Sequence, residues 1–598
     1  MKISTRTLSS FAAVLGMSFS LMAAETVSME WANLFDGTTT AGDQSTAVLG
    51  VKNGAYWLNT LGSTESAPDL FYAGTKIFTG ALYVGTSQNN NFALTKTDAD
   101  GKALWTIYST SGDYAANEGA LAETADGSVI FLSRARHTDG MLDKPLNLVD
   151  ASGKTFEFGG TVENRYYIGV IGKTDANGNI QWIRLITPDN TKTVGGETVN
   201  LSDVFTAKSL VLDAEGNIYV AGGFSAPLAF AKAENATEKI TPRNSAEWAG
   251  KGTAPADSYI AKLDADGYYK ASVQTEGDTF TTDAILSMTI DGANLYVTGT
   301  ATAEEGLKAS FGGEEFTATT LATPFIASFS TANLEAEWLK TLTPGKVEDK
   351  YGYQNPALSA NGATLWLTAL FNGSFTDGAK TISSVTPSTR EGLLVKFDKA
   401  TGEWLAAADS RADWNDTALG GYLAAVQNPA DDSKVYVYGY VMNAATGAYL
   451  RGYNAQDLTP VTDENWTLVK GGGMPSAICF KYLPEEGTAY LTVRGNKAFE
   501  PLGLEATAAP TGWAVMAGKL ALPEGLTAGV ETAATAAEYT VLGGKGCITI
   551  SAAEACTTAV YDLAGRAAAT VKLAAGETAT LTLAPGLYIA GGKKVIVK

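Results

Sequence analysis

The chain has 598 residues, 43 Lys and Arg against 63 Asp and Glu, a net charge of -20, 45% apolar residues, and only 3 Cys and 1 His. That balance excludes a nucleic-acid binder reading phosphates with a basic face, a disulfide-stapled mini-protein, and any chemistry that needs two histidines. Charged residues at 18% are fewer than the usual quarter and 10% are aromatic, so apolar surface for a core is ample and the chain reads as a large, acidic, globular protein.

Lys2 and Arg6 precede an apolar run from about Leu8 to Leu21, which exits through Ala23 and Ala24 before Glu25. A positive head, a short greasy middle and small exit residues predict a secretory signal peptide over residues 1–24, cut after Ala24. The run is shorter than the roughly 20 residues that span a bilayer, and no later stretch resembles a stop-transfer segment, so no transmembrane segment is expected. Cys479, Cys547 and Cys556 are an odd number in a chain bound for an oxidising space. Cys547 and Cys556 are close enough to pair across neighbouring strands, or can stay free and buried. Their spacing does not suggest zinc, and neither metal nor cofactor is expected.

The mature part opens on a lone Trp-bearing strand, MEWANLF around Trp31. Next comes GAYWLNT around Trp57, the first copy of a turn followed by an apolar, aromatic-centred strand. Further copies are GSVIFLS around Phe131, GNIYVAGG around Tyr219, ANLYVTG around Tyr296, ATLWLTA around Trp366, SKVYVYG around Tyr436 and GTAYLTV around Tyr490. A second element follows these strands, an apolar strand, a tight turn and an aromatic strand: NFALTKTDADGKALW to Trp105, IGVIGKTDANGNIQW to Trp182, YIAKLDADGYY to Tyr269, FIASFSTANLEAEW to Trp338 and LLVKFDKATGEW to Trp404, with a weaker copy ending at Trp466. Asp-x-x-Gly turns between strands of period two are a hairpin signature. The aromatic centres recur about every 72 residues, room for four strands of about 5 to 6 residues and their loops.

A lone sheet of four strands leaves both faces and an edge exposed, so such units stack around an axis. The seventh unit has its strand GWAVMAGKL, Gly512 to Leu520, but Pro523, Glu524 and Gly525 follow where a turn and a Trp strand are due. Supplying that missing strand from the Trp31 segment closes a ring. The expected fold is all-β: a seven-bladed β-propeller over residues 25–524, closed by the N-terminal strand, then a small C-terminal β-sandwich over residues 525–598.

The repeats resemble bacterial seven-bladed propeller repeats with a D-x-x-G-N-I-Y-V-A-G core, matched best from Asp213 to Gly222, and the second element is similar to the Asp, Gly and Trp docking turn of quinoprotein-type propellers. These motifs imply a fold and bring no activity with them; the Trp residues are expected to pack between blades. After Leu526 the composition shifts to Ala, Thr and Gly. The blocks Val560, Tyr561, Asp562, Leu563, Gly565 and Arg566, then Leu583, Pro585, Gly586, Leu587, Tyr588 and Ile589, then Lys593 to Lys598, resemble a C-terminal sorting domain of type IX secretion. The Tyr-Pro-Asn-Pro opening common in that family is replaced by Tyr539 to Gly546, which leaves open an accessory domain of the same fold without the sorting role. The resemblance implies type IX-like secretion machinery as a partner, with Gly565, Arg566, Pro585, Gly586, Tyr588, Lys593 and Lys594 as the sorting motif, and secretion or attachment to the outer-membrane surface.

Catalytic constellations are scarce. His137, in RARHTDG beyond a strand, is expected on an exposed loop and has no second histidine to work with. The carboxylate pairs Glu304 and Glu305, Glu314 and Glu315, Asp431 and Asp432, and Glu485 and Glu486 read as solvated charge, since neighbours in a strand face opposite ways. DADG and DANG turns lack the further ligands of a calcium loop and read as plain tight turns. Between Phe224 and Asp257 the chain carries an insertion longer than its counterparts, and such insertions gather on a binding face. Trp248 and Tyr259 are therefore the candidate ligand-stacking residues, the alternative being a surface loop or an outer-strand extension. The expected function is a secreted or surface-displayed, non-catalytic binding or scaffold protein for a glycan, peptide or host protein. The alternatives are an extracellular carboxylate-dependent hydrolase or lyase acting on polysaccharide and a periplasmic assembly scaffold.

Overall fold

The computed structural model describes residues 27–597 except 38–42, 64–68, 81–88, 138–141, 161, 163–165, 189–192, 195–196, 199–204, 234–235, 243–256, 278–283, 302–307, 320–322, 346–351, 379, 386–388, 416–418, 429–430, 443–446, 474–475, 523–538, 553–555, 563–566 and 591–592. The chain divides into two compact units, residues 1–526 and 527–598.

In the larger unit each repeat folds as an antiparallel sheet, numbered in chain order. The first sheet holds Gln44–Val51, Gly54–Ser63, Asn89–Thr97 and Ala103–Tyr108; the second Asp113–Glu123, Val129–Arg136, Tyr167–Thr174 and Ile180–Pro188; the third Ser209–Leu212, Ile218–Phe224, Asp257–Leu263 and Tyr269–Gly277. The fourth holds Ala284–Asp291, Asn294–Ala301, Thr323–Ser330 and Ala336–Thr341; the fifth Tyr353–Asn361, Thr364–Phe371, Glu391–Asp398 and Trp404–Asp409; the sixth Leu419–Asn428, Asp431–Met442, Ala448–Asn454 and Pro460–Gly471. The seventh holds Ser476–Leu483, Thr488–Gly495 and Ala514–Ala521, and its next strand is Ser28–Gly37 from the other end of the chain. That strand pairs antiparallel with Ala514–Ala521, Trp31 opposite Lys519 and Phe35 opposite Val515. The first strand of each sheet touches that of the next, and that of the seventh touches that of the first. The unit is an all-β, β-propeller-type repeat closed on itself.

Second strands such as Ile218–Phe224 are buried along their whole length, because sheets pack on both of their faces, and that is why they read as unbroken apolar runs. Apolar clusters fill the gaps between successive sheets, for example Leu58, Phe92, Phe131 and Val170 between the first and second, and Phe35, Trp57, Tyr490 and Val515 between the seventh and first.

The second element of the repeat is an inter-sheet clamp. In the first sheet's Asp98 to Gly101 turn, Asp98 Oδ1 accepts the N–H groups of Asp100 (3.1 Å) and Lys102 (2.8 Å), so the carboxylate is spent on holding its own turn. Gly101 has φ +77° and lies under the indole of Trp31, where an added Cβ would meet Cδ2 at 2.6 Å. Trp31 Nε1 donates to Ala99 O at 2.9 Å. One sheet on, Trp105 covers Gly178 and donates to Ala176 O at 3.1 Å; Trp182 covers Gly267 and Trp338 covers Gly402. Each of these aromatic residues thus grips the following sheet's turn, which is the inter-sheet packing expected of them.

A second set of pairs repeats within the sheets. Tyr56, Tyr219, Trp366 and Tyr490 stand directly across the ladder from Lys96, Lys262, Lys396 and Lys519. Lys262 Nζ donates to Thr331 O (2.8 Å) and Lys396 Nζ to Ala455 O (2.6 Å), both in turns of the next sheet.

The outer edges are covered by hairpins borrowed from the following repeat. Leu146–Val149 and Thr155–Phe158 extend the first sheet, Leu228–Ala231 and Thr237–Ile240 the second, Ala309–Phe311 and Glu314–Phe316 the third, and Asp69–Tyr72 and Thr75–Thr79 the seventh. Each lies in the long connection between the second and third strands of the sheet that follows. The free edge is thereby moved to the hairpin's outer strand of three to five residues, and so short an edge is a poor template for another chain.

The smaller unit is described by itself. Tyr539–Gly543, Cys547–Ala552 and Thr578–Thr582 form one sheet, and Ala567–Leu573, Cys556–Asp562, Gly586–Ala590 and Lys593–Val597 another. Ile548 and Ile550 of the first sheet share a core with Val560, Val571, Tyr588 and Val595 of the second. Cys547 and Cys479 are free thiols.

Candidate functional site

First strands end their sheets, so one edge of each is paired and the other turns inward. Serines stitch several of these edges together. Ser209 Oγ accepts the Met288 N–H (3.1 Å), Ser287 Oγ accepts the Leu358 N–H (3.3 Å), and Ser359 Oγ donates to Ala425 O (2.7 Å).

Between the first strands of the fifth, sixth and seventh sheets lies a cavity of about 400 Å3, lined by Ala357 to Asn361, Leu423 to Gln427 and Phe480 to Tyr482, with Thr289 and Pro484 at its margin. That volume falls within the range of small-ligand sites, about 300 to 1,000 Å3. The lining runs through consecutive residues, as it must where a strand presents its edge rather than one face. It occupies the C-terminal ends of the strands, beside tight turns such as Asn361 to Thr364, not beside the long connections.

Amides fix the cavity's polar wall. Gln427 Oε1 accepts from Asn361 Nδ2 (3.1 Å) and Trp366 Nε1 (3.1 Å), while its Nε2 donates to Asp432 O (2.9 Å). The Phe480 ring is stacked on Tyr438, with centroids 4.7 Å apart and planes 25° off parallel. Lys481 is the charged residue of the lining; it and Lys96 hold down a Glu123 carboxyl that burial raises. Lys96 itself lies over the Tyr56 ring at 3.9 Å, and burial lowers its pKa to about 8.

The residues singled out by sequence fall elsewhere. Trp248 lies outside the described residues, as do Ala24, Gly565 and Arg566. Tyr259 is fully buried, and its hydroxyl donates to Thr206 O at 3.1 Å. Its ring touches Phe224, Phe205 and Phe230, so no face is left for a ligand: an aromatic at the start of a third strand is core. The described part of the insertion is the hairpin that extends the second sheet, Phe230 opposite Ile186. Pro585 is exposed before the strand Gly586–Ala590, where Tyr588 donates its hydroxyl to Ala584 O at 3.0 Å. Lys593 and Lys594 open the last strand, Lys594 opposite Ile589. His137 is not on an exposed loop but buried, its Nε2 3.0 Å from Gly160 O, and burial lowers its pKa. Glu315 pairs with Lys308 at 2.8 Å on the surface.

Sequence reasoning also missed a buried acid cluster between the fifth and sixth sheets. Asp409 caps the short helix Ser410–Trp414, its Oδ1 accepting the N–H groups of Arg411 and Ala412 at 2.8 Å each. Glu391, fully buried, stands against the Asp409 carboxyl, accepts the Val385 N–H at 2.9 Å and lies 3.4 Å from Arg411 Nε. Burial first, then Glu391, raises the Asp409 pKa well above the carboxylate range, which favours its protonated form. Beside them Tyr422, Tyr453 and Trp414 form a hydrogen-bonded chain. No group of three or more His, Cys, Asp or Glu that could hold a metal occurs among the described residues.

No family model matches the chain, and no curated protein does. Among solved structures it is similar to the quinohemoprotein alcohol dehydrogenase of Comamonas testosteroni, at 13% identity and a TM-score of 0.34 over 83% of this chain and 76% of that one. BamB from Moraxella catarrhalis is matched at 13% identity and a TM-score of 0.32, over 80% of this chain and 99% of that one. The C-terminal WD40 domain of Sif2 is matched at 9% identity and 0.30, over 83% and 98%.

Proposed function

We propose that the chain is a seven-bladed β-propeller closed by its N-terminal strand, which binds a glycan, a peptide or a host protein without transforming it. The reading continues outward: a signal peptide cut after Ala24, a propeller over residues 25–524, and a module over residues 525–598 that takes the protein through a type IX-like route to the outer surface. The cyclic contact of first strands and the strand exchanged between the chain ends support the blade count.

The observation that carries a binding role is the cavity at the convergence of three first strands. Its lining holds amides, hydroxyls, aliphatic groups, the rings of Phe480 and Tyr482, and one lysine. Such a mixture of apolar walls and a few polar groups is what holds and orients a ligand. The test is binding of the full mature chain to glycan and peptide panels, with Ala357→Trp and Ala424→Trp as cavity-filling variants. Retention that these variants abolish supports the reading; turnover of a polysaccharide by the purified chain overturns it. For the export route, a chain lacking Leu526 to Lys598 that reaches the medium as well as the full one would refute the role of the C-terminal module.

A further inference from the structure

We infer that the cavity takes an extended peptide segment, held through its main chain, which narrows the ligand classes of the preceding reading and rests on it. The direction of the strand edges carries the inference. Leu358 sends its N–H to Ser287 of the neighbouring strand, and Ala425 receives Ser359 on its carbonyl. In an antiparallel ladder the N–H and C=O of one residue point the same way and alternate residues point oppositely. Leu358 and Ala425 therefore turn both groups away from their own sheets. Ala360, two residues beyond Leu358 in unbroken register, does the same.

Four main-chain groups of these residues, Leu358 O, Ala425 N–H and both groups of Ala360, thus face the cavity, and none has a backbone partner outside its own sheet among the described residues. Main-chain donors and acceptors left without a ladder partner at a strand edge are a template for another strand. A strand of peptide supplies alternating donors and acceptors at the same spacing, as edge strands do when they recruit a peptide. The lined stretches of five residues on the fifth and sixth sheets' strands are about 13 Å long at the rise of a strand, which suits a segment of four or five residues.

A sugar fits less well. Sugar recognition depends on open aromatic faces; the lining's aromatic residues are Phe480 and Tyr482, and Phe480 has one face stacked on Tyr438. The polar wall is also committed, since Gln427 spends both ends of its amide on Asn361, Trp366 and Asp432.

The experiment uses the full mature chain immobilised and two synthetic pools of capped random hexapeptides, one ordinary and one with every second amide N-methylated, beside a soluble glycan panel. Retention of the ordinary pool at least tenfold above the methylated pool is expected. Ala360→Pro removes one inward N–H without touching the ladder, because Pro is tolerated where the N–H faces away from the sheet; it should lower retention at least fivefold with an unchanged melting temperature. Equal retention of the two pools overturns the inference whether or not that variant folds. If a glycan is retained and no peptide is, the peptide assignment falls while the binding role stands. If nothing is retained, both fall.

Discussion

Replacing Gly101 with alanine tests whether the Trp clamp, rather than the turn alone, holds the sheets together. Gly101 and Gly127 both have φ +77°, but a Cβ at Gly101 would lie 2.6 Å from Trp31 Cδ2, whereas at Gly127 it meets nothing within 4 Å. Left-handed backbone costs an alanine about 1 to 2 kcal/mol at either position. At Gly101 the indole must also move, and it is held by Trp57 at 5.9 Å, by Tyr490 at 6.3 Å and by its bond to Ala99 O. Overpacking of that kind adds about 1 to 3 kcal/mol. Gly101→Ala should therefore lose roughly 2 to 5 kcal/mol against about 1 to 2 for Gly127→Ala. Denaturant unfolding followed by tryptophan fluorescence reads both. In a Trp31→Ala background the cost of Gly101→Ala should shrink to that of Gly127→Ala, the coupling a double-mutant cycle isolates. Equal losses in the two single variants, or no coupling to Trp31, would refute the clamp.

Phe35→Ala, at a fully buried ring 4.5 Å from that of Tyr72 in the exchanged strand, should cost about 3 to 5 kcal/mol in the same assay; a loss below 1 kcal/mol would mean the seam is not closed there. Asp409 has a folded pKa raised to about 8, so its contribution to stability is complete below the ordinary carboxylate pKa and is lost as pH rises through about 8. Asp409→Asn, which mimics the protonated acid and still caps a helix, should flatten stability between pH 4 and pH 8; a profile as steep as that of the parent chain argues against a protonated Asp409. For His137 the folded pKa is lowered, so the folded chain binds fewer protons and stability falls as pH drops below about 6.5. With a single imidazole in the chain, an NMR titration midpoint at or above that of an exposed histidine would contradict its burial.

The repeat was legible because it is local. A tight turn, an aromatic strand and a Trp at fixed spacing announce a hairpin whatever surrounds them, and the unmatched halves at the chain ends announced that the Trp31 strand pairs with the strand ending at Leu520, though not its register. The borrowed hairpins were not legible, since Leu228–Ala231 pairs with Ile180–Pro188 of the preceding repeat and nothing in LAFA names that partner. Tyr259 was misread because an aromatic in an apolar strand looks the same in a core and in a binding site. The cavity was invisible for a different reason: strand edges are backbone, which every sequence has, and Ala357, Ala360 and Ala425 carry no chemical signature.

The exchanged strand also sets the order of assembly. Trp31 must find Lys519, a contact spanning almost the whole larger unit, and loop-closure entropy makes such contacts slow to form. The seventh sheet waits for residues 514–521; until then the strand carrying Trp31 and Phe35 has Trp57, Tyr72 and the Ala99 turn beside it, and its other ladder edge is unpaired. The larger unit is thus completed by a contact between its two ends, and a chain interrupted before Ala521 keeps the long edge of its first strand open to other strands.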